Sequence, residues 1–170
     1  MDHALVNRVA NSGIKTINLE KIIPEGEMMS WDIKQALFME MVLKEKDFRA
    51  LVKDFNWQQF QNANVAIFSS VDAIIPTWAF MLISSKLTGI ARSVYFGTPE
   101  AMANELWARQ VEKEDWKQYE GERVVIKGCG DVHVSPSAYM KITEKLMPIA
   151  QSIMYGEPCS TVPVYKKPKR

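Results

Sequence analysis

Long hydrophobic runs are missing from this chain of 170 residues. The longest, around Trp78 to Ile83, is far too short to span a bilayer, so no membrane span is expected. Cysteine and histidine are scarce, with two of each, and no CxxC or HxxxH pair fixes a metal geometry. Charge of one sign is also lacking. The formal net charge is +1, so no global field invites nucleic acid. The one basic cluster, Lys166, Lys167, Lys169 and Arg170, reads as a solvated tail. Met1-Asp2-His3-Ala4 has no basic stretch running into an apolar one, so a signal peptide is not expected. Two thiols without an export signal fit a reducing, cytoplasmic location. P-loop, GxGxxG, GxSxG and HExxH signatures do not occur.

What the chain has is a match to itself. Residues 57–99 laid over 116–158, a shift of 59, align without a gap and share 15 of 43 positions. Trp57 falls on Trp116, Gln59 on Gln118, Val65 on Val124, Ile67 on Ile126 and Gly97 on Gly156. An internal repeat constrains architecture before any other signal. Each copy reads as strand, helix, strand. Val65-Ala66-Ile67-Phe68 and Val124-Val125-Ile126 are short apolar runs suited to buried strands. Pro76 and Ser135-Pro136 suit helix starts, and Thr98-Pro99-Glu100 begins a linking helix to about Gln110.

The expected fold is α/β: one domain over 1–170, with a mainly parallel sheet built from two duplicated βαβ units (57–99 and 116–158). Helices lie on both faces, and residues 1–56 add a helical and edge-strand extension that covers the sheet or a dimer contact. Within that domain, 57–110 holds the first repeat and linking helix, and 111–165 the second repeat with a C-terminal arm. In the extension, Ile17-Asn18-Leu19 reads as an edge strand. Ser30 caps a helix from Trp31 to about Leu43, and Phe48, Leu51, Val52 and Phe55 mark a second helix.

Parallel strands deliver their chain ends to one edge, where such folds bind ligands. If the repeats meet about a pseudo-twofold, strands one and three are neighbours. Ser70 and Asp72 then face Gly128, Cys129, Gly130 and Asp131, while Glu157, Cys159, Ser160 and Thr161 arrive beside them. Three readings compete for the thiols. Cys129, Cys159 and His133, with Asp131, form a metal site for zinc or an iron–sulfur species. Alternatively, one cysteine is a reactive thiolate, or both are small buried hydrophobes. Asp72 and Asp131 could instead form a catalytic pair, against the plainer role of capping their own helices. Whether the protein is an enzyme stays open. So does a pure interaction module working through residues 1–56.

Several longer strings resemble one family as a set. They include Val9-Ala10-Asn11-Ser12-Gly13, Lys44-Glu45-Lys46-Asp47-Phe48-Arg49, Asp72-Ala73-Ile74-Ile75-Pro76-Thr77-Trp78-Ala79 and Val124-Val125-Ile126-Lys127-Gly128-Cys129. The longest is the run from Ser152-Ile153-Met154-Tyr155 through Gly156-Glu157-Pro158-Cys159 to Ser160-Thr161-Val162-Pro163. The family is the bacterial, mainly Bacteroidetes, domain of unknown function 2480, and the resemblance spans essentially the whole chain. It implies no activity and carries over no catalytic residue. It implies a genomic association with iron–sulfur cluster assembly, and so an accessory or binding protein at the strand-end edge. Its partner would be an assembly component or a small ligand, with self-association compatible.

Overall fold

The computed structural model describes residues 13–127, 130, 132–157 and 160–168. It is an α/β structure divided into two compact units. Unit 1 holds the described residues of 1–24 and 104–170, and unit 2 holds 25–103.

Unit 2 is a continuous stretch of chain. Strand β2 (Met28–Asp32) leads through a 3-10 turn into helix α1 (Glu45–Asp54), then β3 (Asn64–Phe68), α2 (Thr77–Leu87) and β4 (Ser93–Phe96). Its three strands are all parallel in the order β2-β3-β4. β3 lies in the middle with Asn64 to Ile67 all buried, which is why its sequence shows an apolar run and not alternation. Trp31, Phe48, Val52, Trp57, Phe60, Val65, Ile83 and Leu87 form the core.

Unit 1 is built from chain on either side of unit 2. Strand β1 (Ile14–Ile17) precedes it. Helix α3 (Pro99–Lys113) leads out of it, followed by β5 (Arg123–Ile126), α4 (Pro136–Leu146), β6 (Ser152–Glu157) and β7 (Ser160–Lys166). The order is β1-β5-β6-β7, parallel except for β7, which runs antiparallel along β6. Leu19, Trp107, Val111, Trp116, Val124, Ile142, Leu146 and Ile153 make its core.

The shift of 59 recurs in the backbone. Trp57 Nε1 donates to the Val52 carbonyl and Trp116 Nε1 to the Val111 carbonyl, both at 2.8 Å. Asn62 N donates to Ile90 O and Gly121 N to Ile149 O, both at 2.9 Å. Phe80 meets Phe96 edge-on at 5.1 Å, and Tyr139 meets Tyr155 likewise at 5.6 Å.

Two expectations need correction. The strands of the two matching segments do not share a sheet. Among the described residues, β3 pairs only with β2 and β4, and β5 only with β1 and β6. Each unit instead completes its parallel trio with a strand from the first 32 residues, so β3 and β5 are not neighbours. The helix expected from Trp31 to Leu43 does not form either. Trp31 lies within strand β2, and only Ile33–Ala36 is helical, as a single 3-10 turn. The helix expected over Phe48 to Phe55 is present as α1, which buries Phe48 and Val52.

Candidate functional site

In unit 1 the parallel strands end together. Ile126 of β5 stands beside Tyr155 of β6, and on the other side beside Ile17 of β1. The first residue past β5 is Lys127. Its N–H donates to Ile17 O at 2.8 Å, and its carbonyl accepts from the Tyr139 hydroxyl at 3.3 Å. Its ammonium lies 3.4 Å from Glu157 Oε1, at the end of β6. Both partners are about a third exposed, so this pair is a modest contribution to stability. What it fixes is position: one positive and one negative side chain, held side by side across two strand ends.

A cavity of about 400 Å³ opens at the same edge, lined by Thr16, Asn18, Lys21, Glu114, Tyr119 and Lys127 among others. That volume is in the range of small-ligand sites. Burial, and then the charge of Glu114, push the Tyr119 hydroxyl above its ordinary value, so it stays protonated at neutral pH. The cavity thus offers ammonium, carboxylate, carboxamide and phenol groups.

The loop between β5 and α4 is tied to the turn after β1. Glu20 Oε1 accepts from Val132 N at 3.0 Å, and a side chain at Gly130 would collide with that carboxylate. A larger residue there would push the Glu20 carboxylate aside and disturb its bond to Val132 N. The loop then enters α4 through Ser135, which is buried. Its hydroxyl accepts from Ser137 N at 3.2 Å and donates to Asn104 Oδ1, forming the expected N-cap with Pro136 at the first helical position.

The corresponding edge of unit 2 has a different character. A shift of 59 sets Phe68 where unit 1 has Lys127, and Thr98 where it has Glu157. The local cavity, about 390 Å³, is lined mainly by Phe68, Ala73, Ile75, Phe80 and Phe96. One strand-end edge is charged, the other apolar.

The expected site residues fall as follows. Gly128, Cys129, Asp131 and Cys159 lie outside the described residues. His133 is exposed and has no hydrogen-bond partner among the described residues. Glu157 pairs in register with Ser160, and Gly156 with Thr161, so both hydroxyl residues belong to β7 and not to a loose arm. Among the described residues, no three His, Cys, Asp or Glu side chains converge as a metal site. In unit 2, Asp72 is exposed, and α2 has no side-chain cap, so Asp72 does not fill the capping role. Because β3 and β5 sit in different sheets, the reason for setting Asp72 against Asp131 is gone. Lys127, Lys21, Glu114 and Tyr119 were not singled out by sequence reasoning. The signal that could have found Lys127 is its place as the first charge after the buried run Val124 to Ile126.

Ser70 has a structural task. Its N–H donates to Asp32 Oδ1 at 3.1 Å, and the same oxygen accepts from Lys34 N at 2.9 Å. Burial pushes the Asp32 carboxyl up, but the Ser70 hydroxyl, the two N–H bonds and the Lys34 charge outweigh it. The net position is below the ordinary value. A lowered carboxyl stabilises the fold above its unfolded-state value, and that stability is lost as pH falls through the folded-state value. Asp32→Asn should therefore cost about 1 kcal/mol at neutral pH, the difference between hydrogen bonds to a charged and to a neutral acceptor. The gap to wild type should close under acid conditions below 3.8, the ordinary Asp value. Urea unfolding across that range measures it, and a gap that stayed constant would count against the assignment.

These geometries now stand beside the comparisons with known proteins. The model of the family described as "Protein of unknown function (DUF2480)" matches residues 3–167. The chain belongs to this family. No curated protein and no solved structure matches it. Among the described residues, no helix is long and apolar enough to cross a membrane.

Proposed function

We propose that this DUF2480 protein is a cytosolic accessory protein that binds a metal or sulfur species through Cys129 and Cys159 at the strand-end edge of unit 1. His133 and Asp131 supply further donors, and iron–sulfur cluster assembly is the context. The observation that carries this reading is the pairing of Lys127 with Glu157 across the ends of β5 and β6. Cys129 follows Lys127 by two residues, and Cys159 follows Glu157 by two. Neighbouring strands lie about 4.8 Å apart, and a chain advances at most about 3.6 Å per residue. That spacing in the sequence supports a shared site for the two thiols.

The chemistry of the edge supports the same reading. Two thiolates and an imidazole suit zinc or an iron–sulfur species. A nearby ammonium favours the thiolate form that metals and sulfur transfer require. The exposed imidazole of His133 is not committed to a bond among the described residues. The charged cavity beside Lys127 would seat the polar part of a ligand, where the apolar edge of unit 2 would not.

The test loads the purified chain with zinc and measures bound metal and affinity after desalting. About one ion per chain is expected. Cys129→Ser with Cys159→Ser should weaken binding by more than the roughly 10–100-fold that follows loss of a supporting residue. Its circular dichroism should stay unchanged. Zinc held equally well by the double variant would sink the reading.

A further inference from the structure

The duplicated scaffold supplies a control for the cavity of unit 1. Ile17 stands beside Ile126 and Trp31 beside Ile67, so the strand registers make Ile17 the counterpart of Trp31. The shift of 59 makes Glu114, Trp116 and Tyr119 the counterparts of Phe55, Trp57 and Phe60. In unit 2 all four positions are aromatic and pack on one another. Between ring centroids, Trp31 lies 5.7 Å from Phe55 and 5.3 Å from Trp57, and Phe55 lies 6.2 Å from Phe60. In unit 1 the same four positions line the cavity of about 400 Å³. The scaffold therefore does not require an opening here. With Ile17 and Glu114 in place of two rings, space is left and a carboxylate faces it.

The polar groups around that space are mostly unspent. Lys21 and Glu114 both line it, yet neither forms an ion pair with the other or with any other described residue. Glu114 accepts only a long bond from Gln110, at 3.4 Å. Asn18 spends its Oδ1 on Glu20 N at 3.0 Å, which leaves its Nδ2 donors without a partner among the described residues. The hydroxyls of Thr16 and Tyr119 have none there either. The frame that holds these groups is fixed. Lys127 N ties the ends of β1 and β5 through Ile17 O, and Trp116 is tied to Val111 O, both at 2.8 Å. Tyr119 stacks on Trp116 at 6.1 Å. A ligand would find its partners already in place, which lowers the cost of binding.

We infer that this cavity is a binding site for a free α-amino acid, its ammonium on Glu114 and its carboxylate on Lys21. A ligand with both charges matches an anion and a cation that line one cavity without pairing. Asn18, Thr16 and Tyr119 add neutral donors for the carboxylate, and Ile17 and Trp116 offer apolar surface to the side chain. A simple anion would meet the like charge of Glu114, and a simple cation that of Lys21. The site goes beyond the metal reading, since none of its groups is a thiol. The two are lost by different substitutions.

Calorimetric titration of the full chain with each common amino acid in turn tests this. At least one should bind with a Kd of about 1 mM or tighter. Acetate, methylamine and inorganic phosphate, which each carry one sign of charge, should not. Lys21→Gln and Glu114→Gln each remove one of the two charges. Each should weaken binding by at least about tenfold, or 1.4 kcal/mol, with the circular dichroism of wild type. If Glu114→Gln does not fold, Lys21→Gln decides alone, because Lys21 is exposed and its ammonium holds nothing in place. Failure of every amino acid to bind at that strength overturns the proposal. So does phosphate bound as tightly as the best amino acid, or a Lys21→Gln variant that binds as wild type does.

Discussion

Trp116→Ala is expected to lower stability by about 3–5 kcal/mol, and Trp57→Ala by a similar amount. Both indoles are nearly buried. Each also closes the end of a helix. Trp57 donates to Val52 O in the last turns of α1, and Trp116 to Val111 O in those of α3. Helices end with carbonyls that have no partner within the helix, and burying one unpaired is costly. Truncation to alanine therefore removes packing, leaves a cavity and orphans a carbonyl together. Phenylalanine separates these effects, since it keeps most of the volume and loses only the donor. Trp57→Phe and Trp116→Phe should each cost about 1–3 kcal/mol. Urea unfolding gives the values. If the alanine variants lost less than the phenylalanine range, the indoles would not be anchors.

Asn64→Ala should cost about 2–3 kcal/mol, an effect that a scan of hydrophobic positions would overlook. Asn64 is 1% exposed and joins three segments of unit 2. Its Nδ2 donates to Glu25 O at 2.8 Å, and its Oδ1 accepts from Ser93 Oγ at 2.7 Å. The first bond holds the turn before β2, where Gly26 has φ of 87° and its Cα lies too near Asn62 O to bear a side chain. The second reaches β4. Without the carboxamide, a carbonyl and a hydroxyl lose their partner and the middle strand keeps a void. Hydrogen exchange at the β2 and β4 amides should quicken with the loss of stability. Unchanged exchange there would show that the carboxamide does not hold these strands.

Much of this fold was legible because the strong signals are local. The buried runs Val65–Phe68 and Val124–Ile126 became β3 and β5. Ser135-Pro136 capped α4 where the residue types said it should. The illegible parts are those that depend on what comes from far away. β1 and β2 lie outside the matching segments. Asn18 bonds Glu20 N, and Asp32 bonds Lys34 N, in the same turn after each strand. Those positions are 14 residues apart, not 59, because all of unit 2 stands between β1 and the rest of its sheet. A search at one fixed shift therefore loses both first strands. Trp31, Ile33, Ala36 and Leu37 then imitate a helical stripe. Asn64 was equally silent, since its counterpart at the shift is Arg123 and nothing in either type announces a buried tie.

Less of the candidate site was legible. Strand ends drew attention to one edge, but Lys127 and Glu157 meet there only because β5 and β6 are neighbours in one sheet. Placing β3 beside β5 wrongly joined Asp72 to that edge. The shift carried the evidence for what is shared, while the sheet decided what could meet.

The threading of β1 has a consequence for how the chain is made. Everything that unit 2 requires lies in one unbroken run, available once Ala103 has been synthesised. β1 appears first and waits longest, since Ile14 finds its partner only when Arg123 emerges. Closing so distant a contact is slow, because a long loop must be ordered before any bond rewards it. The later part of the chain thus finishes what Ile14–Ile17 began. Truncation anywhere before β5 leaves a strand with nothing to join.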